Sequence, residues 1–280
     1  MIIFKKVADI QPYLLKIKEK GQIISFVPTM GALHQGHISL VQNAQGEDTI
    51  TVASIFVNPT QFNDKKDYEK YPISVEDDIT MLIDAGCDIL FLPSVEEMYP
   101  EGADKMPTYD FGYLDTILEG KERPGHFEGV GQVVARLLDI VQPHKLYMGQ
   151  KDYQQCMVVK NLLRQLGLNT ELIICATQRE PDGLAMSSRN RRLTEFQRAK
   201  AMLLYQCLVS IKTKQTDSSF STVQKECIDI LKDKGFVPEY VSLADADDLT
   251  LLEEYDANRN MVALVVAWLG DVRLIDNMLL

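Results

Sequence analysis

The chain has 280 residues, 46% hydrophobic and 25% charged, with a formal net charge of −11. That length buries a proper core and allows two domains. The longest purely apolar run, 261–269, is too short to span a bilayer, and the acidic balance discourages binding to DNA or tRNA. Five widely spaced cysteines without a C-x-x-C pair suggest neither a disulfide framework nor a zinc knuckle. The N-terminus places its charges after a short apolar stretch, the reverse of a signal peptide, so a cytoplasmic protein is expected. Residues 121–200 hold 13 Lys or Arg against 8 Asp or Glu; a basic segment inside an acidic protein suits a small anionic ligand.

In chain order, strands are predicted over Ile23 to Val27, Ile50 to Val57, Asp88 to Leu92, Lys145 to Met148 and Leu172 to Ala176. Helices are predicted over His37 to Ala44, over Val75 to Ala85 behind a Ser74 cap, over Gly129 to Val141, and over Gln154 to Leu166 with Gly167 as stop. Such alternation predicts an α/β fold with a Rossmann-like parallel sheet and flanking helices, over 1–177. Residues 178–280 read as a smaller C-terminal α+β lid domain. Its helices run from Thr194, with Gln197 completing a capping box, to about Ile211 and from Val223 to Lys234. Strands follow at Glu239 to Leu243, Met261 to Trp268 and Val272 to Asp276, the last two joined by a Gly270-Asp271 hairpin turn.

Ligands of open α/β sheets bind beyond the carboxyl ends of the strands, so the loops there hold the candidates. The first is Pro28-Thr29-Met30-Gly31-Ala32-Leu33-His34-Gln35-Gly36-His37. It sits between strand and helix, where free backbone N–H groups favour an anion, and its histidines share a helix face. The pair also fits two surface histidines or half a metal site. Next, Asn58 and Gln61 in Phe56-Val57-Asn58-Pro59-Thr60-Gln61-Phe62 offer amides suited to a hydroxyl and a carboxylate, or form an ordinary Asn-Pro turn. Glu76, Asp77 and Asp78 complement a helix dipole or bind metal. Arg123 and His126 stand ahead of a long apolar helix, in what is otherwise a plain surface loop. After the fourth strand come Gly149, Gln150, Lys151, Asp152 and Gln155; further on, Met186-Ser187-Ser188-Arg189-Asn190 joins hydroxyls to arginine, a phosphate-binding chemistry that also fits a solvated loop.

Taken together, Pro-Thr-Met-Gly-Ala-Leu-His-x-Gly-His, Phe-Val-Asn-Pro-x-Gln-Phe, Arg-Pro-Gly-His-Phe, Gly-x-Lys-Asp-Tyr-Gln-Gln and Ser-Ser-Arg-Asn occur in the order found in one family. Over nearly its full length the chain resembles the pantoate–β-alanine ligases, members of the nucleotidyltransferases whose signature is a His-x-Gly-His-type loop. The resemblance implies that pantoate's carboxylate attacks the α-phosphorus of Mg-ATP, and that β-alanine's amine then attacks the pantoyl adenylate to give pantothenate and AMP. It implies ATP contacts at Met30, Gly31, Ala32, Leu33, His34, Gln35, Gly36, His37, Gly149, Gln150, Lys151, Asp152, Gln178, Met186, Ser187, Ser188 and Arg189. Of these, His37, His34, Lys151 and Arg189 carry the catalysis. Gln61 and Gln155 would hold pantoate, with Asn58, Arg123 and His126 beside the pantoate and β-alanine positions. Mg²⁺ would arrive on the ATP phosphates with no metal site of the protein's own, and the implied assembly is a homodimer. Gln35, Gln178 and Ile73 depart from residues common in the family.

Overall fold

In a computed structural model that describes residues 1–62, 68–69 and 71–280, the chain forms two compact units. The first comprises Met1–Gly149 with Gln154–Cys175, the second Gln150–Tyr153 with Ala176–Leu280.

The first unit is built on a parallel sheet of β1 (Ile2–Phe4), β2 (Ile23–Thr29), β3 (Thr49–Ile55), β4 (Ile89–Phe91), β5 (Lys145–Gly149) and β6 (Glu171–Cys175), in spatial order β1-β4-β3-β2-β5-β6. Strand order reverses at β2, which pairs with β3 on one side and β5 on the other. Loops leaving β2 and β5 therefore stand at the topological switch point, where such sheets bind ligands. The crossovers are α1 (Val7–Glu19), α2 (Gln35–Asn43), α3 (Val75–Asp84), α4 (His126–Val141) and α5 (Tyr153–Gln165). On one face Val27, Ala53 and Leu90 from the strands meet Leu33, Ile38 and Val41 around α2 and Leu82 of α3. Each such side chain contributes about 1.5–3 kcal/mol when fully buried, and the contact fixes where α2 begins relative to β2.

All five expected strands of this unit form, within two residues at each end. Beyond shifts of one or two residues, one helix start and one cap differ from expectation. The fourth begins at His126 rather than Gly129, because Gly125 turns the chain at φ 81 and both His126 and Phe127 pack inward. At the third, Ser74 does not cap: its hydroxyl donates to the Asp78 carboxylate instead.

The second unit carries an antiparallel sheet in the order β10-β9-β7-β8, from β7 (Val237–Asp245), β8 (Leu251–Leu252), β9 (Met261–Leu269) and β10 (Val272–Leu279). The expected hairpin at Gly270-Asp271 joins β9 to β10, with Leu269 paired to Val272. The helix expected over Thr194 to Ile211 is divided at Met202 into α6 (Glu195–Ala201) and α7 (Leu203–Thr213), and the Thr194–Gln197 capping box is present. With α8 (Phe220–Asp233) these helices cover the sheet through Leu204, Leu208, Ile211, Val223 and Leu231 against Val241, Ala263, Val265 and Leu274. Among the described residues no helix is long and apolar enough to cross a membrane.

Candidate active site

The loop after β2 is shaped by a left-handed pair. Gly31 has φ +78 and Ala32 φ +49, a conformation that costs an L-residue such as alanine about 1–2 kcal/mol. Asp78 offsets that cost. Its buried carboxylate accepts the Ala32 N–H at 2.9 Å and the Leu33 N–H at 2.7 Å, besides the Ser74 hydroxyl at 3.1 Å. Asp78 stands in the acidic first turn of α3, as expected of a residue that complements the helix dipole, and in addition braces the loop. Asp78→Ala would strand two buried N–H groups, each costing about 1–3 kcal/mol. A thermal melt should show a fall in Tm, and activity should fall with it as the loop relaxes.

Beyond that turn His34 is the N-cap of α2. Its Nδ1 accepts the Gly36 N–H at 3.1 Å, and the Nδ1 of His37 accepts the His34 N–H at 3.3 Å. Because both Nδ1 atoms act as acceptors, each neutral ring carries its proton on Nε2. The rings lie 4.1 Å apart between centroids. The two rings thus satisfy N–H groups of the helix start and carry their own protons on Nε2, a donor chemistry suited to phosphate oxygens.

Gln61 ends a short 3-10 turn, Pro59–Gln61, and is held from several sides. Its Nε2 donates to the Met30 sulfur at 3.0 Å, while its Oε1 accepts from Asn58 Nδ2 at 3.2 Å. Asn58 is fully buried; it also donates to the Gly129 carbonyl and accepts from the Thr60 N–H, the Thr60 hydroxyl and the Tyr99 hydroxyl. Burial pushes the Tyr99 phenol up to about 12, so it remains a proton donor. His126 faces the turn from α4, its Nδ1 2.8 Å from the Gln61 carbonyl and its Nε2 3.1 Å from Arg123 Nη1. Since the carbonyl can only accept and guanidinium only donate, the ring is neutral with its proton on Nδ1. Asn58 and His126 thus both bond Gln61, through its side chain and its carbonyl. The adjacent glutamines of α5 divide likewise: Gln154 is buried against the Leu114 and Ile117 carbonyls and the Glu119 N–H, whereas Gln155 is half-buried in the first turn.

In the second unit, Gln150–Asp152 form a turn in which Lys151 Nζ lies 3.7 Å from Asp152. Gln178 starts a tight hairpin: its carbonyl accepts the Met186 N–H at 3.0 Å, and Arg179 bridges to Ala185. Its side chain is exposed. Ser187 then caps the 3-10 turn Ser188–Arg192 by accepting the Arg189 N–H. Thr177 Oγ1 and Asn190 Oδ1 are buried polar atoms without a partner among the described residues. Arg179 anchors the hairpin. Its guanidinium binds Asp276 in bidentate fashion at 2.6 and 3.0 Å and stacks on Tyr205 at 4.4 Å. Burial pushes the Asp276 carboxyl up, and Arg179 pulls it back toward the charged form. Asp276→Ala would leave a partly buried cation uncompensated, a loss of about 3–5 kcal/mol; urea denaturation should show it as a lower midpoint with an unchanged slope.

Three features were missed at the sequence level: the reach of Asp78 to the loop, the Tyr99–Asn58 contact, and the Asp276-Asn277 pair. For the last, a signal existed, namely two polar residues inside an apolar strand. Among the described residues no cluster of three or more His, Cys, Asp or Glu side chains converges as a metal site.

The family described as pantoate-beta-alanine ligase matches residues 2–279. A pantothenate synthetase of Azobacteroides pseudotrichonymphae is 43% identical over 279 residues, covering 99% of each chain. The crystal structure of pantothenate synthetase from Thermus thermophilus superposes with a TM-score of 0.92 at 40% identity, again covering 99% of both chains. A pantoate-beta-alanine ligase from Francisella tularensis, solved in complex with beta-gamma ATP and beta-alanine, matches with a TM-score of 0.84 at 38% identity, over 100% of this chain and 97% of that one.

Proposed function

This chain belongs to the pantoate–β-alanine ligase family, and on that premise we propose how its side chains carry the reaction. It condenses pantoate with β-alanine at the cost of ATP, through an adenylate. The observation that supports the assignment is the pair of imidazoles at the start of α2, whose Nδ1 atoms accept the Gly36 and His34 N–H groups, on a loop braced by Asp78.

The first step joins two anions, so the protein's task is electrostatic. The residues Met30, Gly31, Ala32, Leu33, His34, Gln35, Gly36 and His37 are assigned to ATP, with the two Nε2–H groups on its phosphates. Lys151 and Arg189 are assigned to the same phosphates, Asp152 to the ribose, and Gly149, Gln150, Gln178, Met186, Ser187 and Ser188 to the remaining nucleotide contacts. Mg²⁺, carried by ATP, would supply screening of the triphosphate charge. Gln61 turns its amide from the Met30 sulfur to pantoate, and Gln155 supplies the second amide. Pantoate's carboxylate oxygen attacks the α-phosphorus and the bond to pyrophosphate breaks. Donors fixed before reaction stabilise the charge that develops on the leaving group. The β-alanine amine then attacks the acyl carbon, loses a proton, and AMP departs with the carboxylate oxygen. Arg123, His126 and Asn58 serve this chemistry by holding the Gln61 turn. A homodimer and a cytoplasmic location belong to the same reading, on the strength of the family resemblance.

The test incubates the protein with Mg-ATP and pantoate, with and without β-alanine. Pyrophosphate should appear in both tubes, with pantothenate and AMP in equal amounts when β-alanine is present. ATP left intact in both would contradict the reading.

A further inference from the structure

We infer that Asn277, near the end of the C-terminal strand β10, is a positioning residue for Lys151. The inference rests on the reading of Lys151 as a contact to the nucleotide phosphates. The carboxamide of Asn277 is buried and fully used: Nδ2 donates to the Gln150 carbonyl at 2.9 Å and the Lys151 carbonyl at 2.8 Å, and Oδ1 accepts from Gln150 Nε2 at 3.2 Å. Both protons of the amide and its oxygen therefore hold one turn, the turn that presents the Lys151 side chain.

Asn277 is itself fixed. Its N–H donates to Asp276 Oδ1 at 2.8 Å, its carbonyl accepts from Arg179 Nη2 at 3.3 Å, and its strand is registered against Leu264 of β9. β10 is an edge strand, bonded to β9 on one side only, and an edge strand offers unpaired groups along its free side. Here the Asn277 N–H and carbonyl, which make no ladder bond to β9, are taken by Asp276 and Arg179, and the Gln150–Asp152 turn is bonded through the Asn277 side chain. A buried polar side chain is costly unless its bonds are made, and the bonds made here all lead to residues 150 and 151. Asp276, the preceding residue, holds Arg179 and with it the hairpin that leads to Ser187, Ser188 and Arg189. Neighbouring residues of one strand thus steady two segments assigned to the nucleotide.

The test measures initial rates with ATP and pantoate for the wild type, Asn277→Ala, Asn277→Ser, Lys151→Ala and the Asn277→Ala/Lys151→Ala double variant, with a thermal melt of each. Tyr255→Phe, which removes a hydrogen bond to the Ile211 carbonyl in the same unit, is the control for lost stability alone. A misplaced reacting group costs up to about 100-fold, so Asn277→Ala should lower kcat/KM for ATP by about 10- to 100-fold and leave KM for pantoate unchanged. In the Lys151→Ala background the same substitution should cost nothing further, because coupled residues are not additive. Tyr255→Phe should lower Tm and spare the rate. Folded Asn277→Ala with wild-type kinetics, or a loss that persists in full without Lys151, would overturn the inference. Failure of both Asn277 variants to fold would assign the residue to folding and overturn it as well. Wild-type protein that forms no pyrophosphate would overturn the reading of Lys151 and the inference with it.

Discussion

Replacing His37 by alanine is expected to lower kcat by about 10²- to 10³-fold, the loss that follows removal of one fixed donor from a developing oxyanion. The expectation comes from the geometry of α2. His37 uses Nδ1 to accept the His34 N–H, which puts the ring proton on Nε2 in a ring that cannot turn without breaking the cap. Alanine removes both functions at once, and loss of the cap alone costs about 0.5–2 kcal/mol of stability. The two effects separate in His37→Asn. A carboxamide oxygen can accept the His34 N–H, so Tm should recover while kcat stays low, because the shorter side chain does not carry a donor out to the former Nε2 position. Recovery of rate along with Tm would mean that His37 is a cap only.

Gly129→Ala is expected to disable pantoate binding from outside the site. A Cβ at Gly129 would lie 2.5 Å from the Thr60 carbonyl oxygen, 2.7 Å from its carbon and 2.8 Å from Gln61 Cα, all of them backbone. Nothing there can give way by rotating a side chain, so α4 and the Pro59–Gln61 turn must separate. The separation also pulls the Gly129 carbonyl from Asn58 and the Gln61 carbonyl from His126. Overpacking of this kind costs about 1–3 kcal/mol, and an error of about 1 Å in a binding group costs on the order of 10²-fold in rate. Steady-state kinetics should show the fall chiefly in kcat/KM for pantoate, with KM for ATP nearly unchanged. Equal effects on both substrates would place the damage in the fold at large.

What the sequence revealed and what it hid divide by distance along the chain. The strand–glycine–helix signal of β2, Gly31 and α2 lies within some twenty residues, and it predicted the loop and both its boundaries within two residues. The Thr194–Gln197 cap and the Gly270-Asp271 hairpin are equally local. Asp78 lies 45 residues from Leu33, and its acidic neighbours made an ordinary helix start the simplest account of it. Asn58 offered the right amide for a substrate hydroxyl, but five bonds to its surroundings became visible only when Tyr99, Thr60, Gln61 and Gly129 were brought around it. The first helix was not among the expected elements, although Ile10, Leu14 and Ile17 repeat at helical spacing; Pro12, which lacks a ladder donor, lies inside it. The basic run 121–200 was legible as charge but not as disposition: Arg136, Arg179 and Arg198 are paired with Asp139, Asp276 and Asp182. Lys151 and Arg189, from the same run, are the cations the family resemblance assigns to phosphate.

The most direct test of the adenylate route follows an oxygen atom. Pantoate labelled with ¹⁸O in its carboxylate is converted with Mg-ATP and β-alanine, and the products are weighed by mass spectrometry. If the carboxylate attacks the α-phosphorus and AMP departs with the bridging oxygen, each AMP formed carries a label from pantoate and pyrophosphate carries none. Unlabelled AMP, or ADP together with labelled inorganic phosphate, would contradict the account.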